Sequence, residues 1–248
     1  MKAVSLDKLL QSQGFGTRKY CRQLIETGEV QLNGQVVTNI RHSCTATIGK
    51  DGAATDLTLR IFDDDWVYRP QIYLALNKPS EYECSRKPSH HPSVMTLLPE
   101  QFSWRDVQAV GRLDHDTTGL LLLSDDGSFI HAQTSPKRHV PKVYVATTQA
   151  PVTTELITAF LAGVQLHDEP APIAAVDCRA LGEFTVQIVL EQGKYHQVKR
   201  MLAAVGNHCE QLTRIQIGGL KLSEMNLPQG SWCYLTAEQL EQLQVAYQ

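Results

Sequence analysis

The stretch AVGRLDHDTTGLLLLSDDG (residues 109–127) sets four carboxylates, Asp114, Asp116, Asp125 and Asp126, around an apolar run of leucines. An ionised carboxylate is costly to take out of water, so one at the edge of a buried strand needs a partner that compensates its charge. Asp114 follows apolar residues and precedes Thr117, Thr118 and Gly119. That is the position of a side chain held at a sheet end and presented to a cleft. Two other segments supply groups to meet it. In KVY (142–144) the two-residue period of a strand puts Lys142 and Tyr144 on one face. In GKYHQVKRMLAAVG (193–206) His196, Lys199, Arg200 and Ala203 share one helical face, and Val198, Met201, Leu202 and Val205 form the other. A cation beside a desolvated carboxylate keeps it ionised. Such a carboxylate can attack an electrophilic carbon, and an aromatic ring can stack a base turned out of its helix. On spacing alone a plainer reading stands beside this one: Asp114 as a loop cap, Tyr144 as core and Lys199 as a surface charge.

The elements that must position these groups are mostly strands. IYLALNKP, VQAVGRLD, GLLLLSD, VPKVYVATT, EFTVQIVLE and CEQLTRIQIGGLKL read as strands, the second and third flanking an HDTT loop. SFIHAQTS, TTELITAFLAGV, KYHQVKRMLAAVG and TAEQLEQLQVAY read as helices. Strands outnumber helices with no regular βαβ alternation, which predicts an α+β fold with a largely antiparallel, mixed sheet flanked by helices. Upstream, Leu6, Leu9 and Leu10 recur at helical spacing, and GFGT stops that helix with Thr17 as the expected N-cap of the next. Tyr20, Leu24 and Ile25 predict the apolar face of this second helix, with Arg18, Lys19 and Arg22 exposed. EVQLNGQVV then alternates about Asn33-Gly34, a strong hairpin signal. The acidic run and proline of FDDDWVYRPQ (62–71) mark a linker, so the expected organisation is a module over 1–61, a linker over 62–71 and a larger domain over 72–248.

Charge is unevenly spread. The net charge of −3 combines a balance of +3 over residues 1–60 with −6 over the remainder, where the basic residues bunch in SRKPSHH, SPKRHVPK and GKYHQVKR. Concentrated basic stretches in an acidic chain suit an anionic ligand held in one place. No apolar run reaches the roughly 20 residues of a membrane span, and MKAVSLDKLL turns polar too soon for a secretory signal, so a cytoplasmic protein without membrane contact is expected. The six scattered cysteines form no C-x-x-C pair and no Cys–His cluster, and His90-His91 is not a ligand spacing. Reduced thiols and no bound metal are expected.

The front of the chain, about residues 5–39, resembles the S4 RNA-binding domain in its leucine-rich first helix, its Gly-x-Ser/Thr-Arg turn and its V-x-L-N-G hairpin. It differs where Ser5 stands for an arginine common before L-D-K. GRLDHDTTGLLLLSDDG, LNKP, KVY and GKYHQVKRMLAAVGNHCEQLTRIQIGGLKL come in the order found in the RsuA/RluB/RluE/RluF family of rRNA pseudouridine synthases, and the chain resembles that family over nearly its whole length. GVQLHDEP and GKYHQVKRM look most like the RsuA branch.

The resemblance implies isomerisation of a uridine to pseudouridine: the base leaves the stack, the N1–C1′ bond breaks, the ring turns and C5 bonds to C1′. It implies Asp114 as the catalytic aspartate, Tyr144 as the active-site tyrosine and Lys199 as the cation paired with the aspartate. Whether Asp114 deprotonates the sugar or attacks sugar or ring stays open. Arg112, Thr117, Thr118, Lys142, His196 and Arg200 are the expected substrate-binding residues, and Lys8, Arg18, Lys19 and Arg22 the expected RNA-binding cations. Asp116 reads as a loop residue only. No cofactor is required. The expected target is uridine 516 of 16S rRNA in a small-subunit assembly intermediate, acted on by a monomer. A 23S rRNA-directed synthase and a non-catalytic ribosome-assembly factor are the alternatives. A glycosidase-type hydrolase built on Asp114 and Asp116 lacks separate scaffolds to set the distance between the two carboxylates. The chain departs from its relatives at LNKPSEYECS, where Glu81 stands for a usual glycine and Glu83 for an apolar residue.

Overall fold

The computed structural model describes residues 3–247. The N-terminal part contains β1 (Val4–Ser5), α1 (Leu6–Ser12), α2 (Arg18–Glu26), β2 (Val30–Leu32), β3 (Gln35–Val36), β4 (Ser43–Cys44), β5 (Thr58–Ile61) and β6 (Asp64–Val67). Thr17 caps α2 as its sequence predicts, its hydroxyl accepting from Tyr20 N at 3.3 Å. Asn33 and Gly34, with φ of 47° and 79°, close the β2–β3 hairpin. Leu6, Leu9 and Leu10 pack with Leu24 and Ile25 into one core. The place expected for Tyr20 is taken by Cys21, fully buried, while Tyr20 is 46% exposed.

The segment 62–71 is not a linker throughout. Asp64–Val67 is β6, antiparallel to β5 at the edge of the sheet β3-β2-β5-β6. An acidic edge strand resists pairing with other chains and by composition reads as a loop.

The larger part contains β7 (Tyr73–Lys78), α3 (Glu100–Trp104), β8 (Gln108–Ala109), β9 (Thr118–Ser124), α4 (Gly127–Thr134), β10 (Lys142–Thr148), α5 (Thr154–Ala162), β11 (Asp177–Gly182), β12 (Thr185–Leu190), α6 (Gln197–Ala204), β13 (Cys209–Ile217), β14 (Leu220–Lys221), β15 (Trp232–Tyr234) and α7 (Ala237–Gln242). Its sheet runs β11-β12-β10-β13-β9-β7-β15, with β8 on β9 and β14 on β13. All its pairings are antiparallel except β9 with β13. The α+β expectation holds.

The leucine run of β9 is buried on both faces. Leu121 and Leu123 enter one core with Phe102 and Val107, and Leu120 and Leu122 enter another with Ile217 and Leu235. A strand between two cores needs no polar alternation. VQAVGRLD, in contrast, is extended only at Gln108–Ala109, because Gly111 at φ 77° turns the chain out of the sheet. Asp114 therefore sits in a loop ahead of β9 rather than at the end of a long strand.

The two parts are joined by a buried polar knot. Arg105 donates to Asp125 through Nη2 at 2.6 Å, to Gln13 Oε1 at 3.1 Å and to the carbonyls of Arg69 and Pro70 at 2.9 and 3.1 Å. Gln13 Oε1 also accepts from Trp66 Nε1 and Arg69 N, and Asp125 accepts Ile72 N–H at 2.7 Å. No helix among the described residues is long and apolar enough to cross a membrane. All six cysteines are free thiols.

Candidate active site

The loop 110–117 carries Asp114 because its backbone is held from below. Lys78, fully buried, turns its ammonium onto the carbonyls of Pro79, His115 and Thr117 at 3.0, 2.8 and 2.8 Å. Burial pulls its pKa down, against smaller opposing pulls from Cys84, Asp116, Asp114 and Glu81. Gly119, just downstream, has φ 98°, and a Cβ there would lie 2.2 Å from Arg214 O. Only glycine lets β9 and β13 approach this closely, and the approach brings Arg214 to the cleft.

Asp114 is held between two bases. Its Oδ2 lies 3.3 Å from Lys199 Nζ and its Oδ1 3.3 Å from His196 Nε2, with its side chain 24% exposed. Lys199 is shared, because Asp116 Oδ1 lies closer to it, at 2.5 Å. Asp116 is therefore more than a loop residue. Burial would raise its pKa, but the bond to Lys199 and the fields of Lys199 and His115 outweigh that and lower it. The Lys199 pKa is raised for the converse reason: burial opposes the charge, and the two carboxylates overcome the opposition. One cation bridging two carboxylates is a stable ionic arrangement that still leaves Asp114 a flank toward the cleft.

That cleft has a volume of about 430 Å³, within the range of small-molecule sites, and Asp114, Lys142, Tyr144, Tyr195, His196 and Arg214 line it with Arg112 at the exposed rim. Lys142 and Tyr144 share the strand face that their spacing predicts. A smaller adjoining hollow is lined by Asp114, Thr117, Tyr144 and His196. Burial, reinforced by neighbouring Arg214, lowers Lys142 to about 8 against a smaller opposing effect of Glu191.

Two expected substrate residues are placed elsewhere. Arg200 pairs with Asp168 and donates to Tyr195 O at 3.0 Å, and Lys194 pairs with Glu169 at 3.0 Å. The acidic GVQLHDEP stretch thus pins the start of α6, and Arg200 is removed from the cleft. Thr118 faces Thr213, hydroxyl to hydroxyl at 2.8 Å, and stitches β9 to β13. His196 precedes α6 in the left-handed region (φ 46°), so the helix starts three residues later than its periodicity suggests. This turn aims the imidazole at Asp114.

Two lining residues are new. Arg214 is 4% exposed, donates through Nε to Leu120 O at 2.8 Å, and its buried Nη2 has no partner. Tyr195 is 73% exposed and stacks on His196 with centroids 3.9 Å apart. A lone arginine inside the alternating strand QLTRIQI was the available signal for the first; nothing local marks Tyr195.

In the N-terminal part, Arg18 and Arg22 each donate Nε to buried Asp7 at 2.8 Å while remaining half exposed. Ser5 donates to the same carboxylate at 2.5 Å. Burial would raise the Asp7 pKa, but the bonds from Ser5, Arg22 and Arg18 drive it far below the usual range. Lys8 and Lys19 are exposed.

Comparison with known proteins identifies the two parts of the chain. Residues 72–204 match the RNA pseudouridylate synthase family and residues 4–45 the S4 domain. The chain is 39% identical over 239 residues to "Ribosomal small subunit pseudouridine synthase A" of Yersinia pestis, covering 96% of this chain and 97% of that protein. It is 42% identical over 168 residues to the protein of the same name from Escherichia coli K12, covering 68% and 72% of the two chains. A crystal structure of a pseudouridylate synthase superposes with a TM-score of 0.65 at 32% identity, over 97% of this chain and 99% of that one. The chain, an S4 domain followed by a catalytic domain with Asp114 at its cleft, belongs to the RNA pseudouridylate synthase family.

Proposed function

We propose that this pseudouridine synthase modifies ribosomal RNA, and that its target is uridine 516 of 16S rRNA in a small-subunit assembly intermediate. The observation that carries the chemistry is Asp114 Oδ1 and Oδ2 lying 3.3 Å from His196 and Lys199 at the mouth of a base-sized cleft. Lys199 sets a positive charge 3.3 Å from the carboxylate as the substrate displaces water. Tyr144 stacks the extruded uracil, and Arg112 at the rim enters the space the base leaves. Lys142 and Arg214 supply positive charge on the strand side of the cleft, where a phosphate of the substrate would sit. His196 orients Asp114 and gives its free edge to the substrate.

Lys8, Arg18, Lys19 and Arg22 contact backbone phosphates, with Asp7 fixing the two arginines so that little side-chain freedom is lost on binding. Recognition of this kind reads RNA shape as much as sequence. The names carried by the Yersinia pestis and Escherichia coli relatives support a small-subunit target.

The test is to map pseudouridines in the rRNA of a strain lacking the gene. Loss at 16S position 516, restored by the parent gene and not by Asp114→Asn, is the expected result. Loss of a 23S position with the 16S position intact overturns the target and leaves the chemistry standing.

A further inference from the structure

Glu81, His91 and His115 come from three separate segments, and the fold gathers them beside the loop that carries Asp114. One carboxylate oxygen and one ring nitrogen from each histidine all lie within 4.8 Å of one another. His91 Nδ1 is 3.1 Å from Glu81 Oε2, and the two imidazoles stack with centroids 4.3 Å apart and planes 9° from parallel.

The backbone beneath is built before any ligand arrives. Glu81 N–H donates to His115 O at 2.8 Å, and the Lys78 ammonium grips that same carbonyl. Glu83 accepts the N–H groups of Ser89, His90 and His91 at 3.1, 2.8 and 3.0 Å, which folds the 89–91 loop back and sets His91 over His115. Glu81 itself holds φ 66°, a conformation costly for any residue with a Cβ, by about 1 kcal/mol or more. The two glutamates of LNKPSEYECS therefore work together. Glu83 places a histidine, and Glu81 faces it.

We propose that Glu81, His91 and His115 form a binding site for a borderline divalent cation of the zinc class, attached to the catalytic loop. Two neutral imidazoles and a carboxylate suit zinc, cobalt(II) or nickel(II) better than calcium or magnesium, which take all-oxygen sets. Metal–ligand distances of about 2.0–2.2 Å put the donor atoms of a tetrahedral site about 3.4 Å apart; Glu81 Oε2 and His91 Nδ1 already stand within that, and His115 joins them by side-chain rotation. Glu81 and His115 are exposed and His91 is half buried, so rotations about side-chain bonds bring them in without moving the backbone. Water completes the coordination. His115 lies between Asp114 and Asp116, so an ion here ties the turn after β7, the 89–91 loop and the Lys199-binding loop into one unit.

Titration of the chelator-stripped full-length protein with zinc chloride, followed by calorimetry, tests this. Cobalt chloride serves as the spectroscopic probe. The expected result is one equivalent of zinc per chain and cobalt(II) d–d bands of a site with fewer than six ligands. Both weaken by at least about tenfold in His91→Asn and in Glu81→Gln, whose thermal melts without metal match the parent. Zinc raises the melting temperature of the parent and not of the variants. Equal affinity in parent and variants overturns the proposal, as does a sulfur-to-cobalt charge-transfer band, which would place the ion on cysteine. If His91→Asn fails to fold, the same comparison is made with Glu81→Gln, an exposed side chain. The readout is binding, so it stands or falls separately from the role given to Asp114.

Discussion

At the C-terminal end of β9, Asp125 is closed in by Arg105, whose side chain is 3% exposed, and by the N–H of Ile72, while Asp126 caps α4 through Ser128 N and accepts the Tyr73 hydroxyl. At the N-terminal end, Asp114 and Asp116 share one lysine beside an open cleft, 24% and 46% exposed. The same residue type at the two ends of one strand does opposite work. A planar guanidinium with several fixed donors satisfies a carboxylate completely and makes it a fastener. A lysine is a point charge on a flexible stem; divided between two carboxylates, it leaves Asp114 incompletely bonded beside the cleft. The end that is finished fastens the two parts of the molecule together, and the end left unfinished opens on the cleft.

The largest effect expected from breaking this contrast is at Asp114. Asp114→Asn should lower turnover by about 10⁴-fold or more, the scale on which loss of a nucleophile acts, with thermal stability unchanged. Measurable activity at the parent level in a folded variant would remove Asp114 from the chemistry. Asp125→Ala should do the reverse. It leaves Arg105 charged and buried without its partner and should cost about 3–5 kcal/mol in a denaturant titration, while turnover per folded molecule is kept. Lys199→Met should lower kcat by about 10²-fold at saturating RNA, as loss of a preorganised electrostatic partner does. Asp116→Asn sharpens that result. It releases Lys199 to Asp114 alone, so its kcat should fall by less than the Lys199 variant's. A larger fall would make Asp116 the more important acceptor.

The smallest effect is a pH dependence at the open end. Burial and Arg214 lower Lys142 to about 8, so its charge is lost as pH rises through that value. RNA affinity should fall a few-fold from pH 7 to pH 9, and Lys142→Arg, charged throughout, should abolish the inflection. Stability moves the opposite way. An unfolded lysine keeps its proton to about pH 10.4, so between about 8 and 10.4 the unfolded chain binds more protons and folding stability gains as pH rises.

Local chemistry was readable from the residues alone. Thr17 caps α2 and Asn33-Gly34 turns the β2–β3 hairpin because both signals act within four residues of chain. The alternation of β10 put Lys142 and Tyr144 on one face, and the leucines of β9 announced a buried strand, which the packing shows to be buried on both sides. What four identical aspartates do was not readable from their spacing, because each role depends on partners far along the chain: Asp125 on Arg105, and Asp114 on His196 and on Lys199, a pairing that only the family resemblance pointed to. Lys199 and Arg200 are neighbours with equal claim to one helical face, yet the fold sends one to Asp114 and ties the other to Asp168. β6 looked like a linker because an edge strand carries its charges outward as a loop does. His90-His91 showed no ligand spacing, and the meeting of His91 with His115 and Glu81 arises only when three loops are stacked on Lys78 and Glu83. Sequence determines periodicities and caps through neighbours on the chain; which charges neutralise one another, and which is left exposed to react, is decided by distances between segments that only the packed sheet brings together.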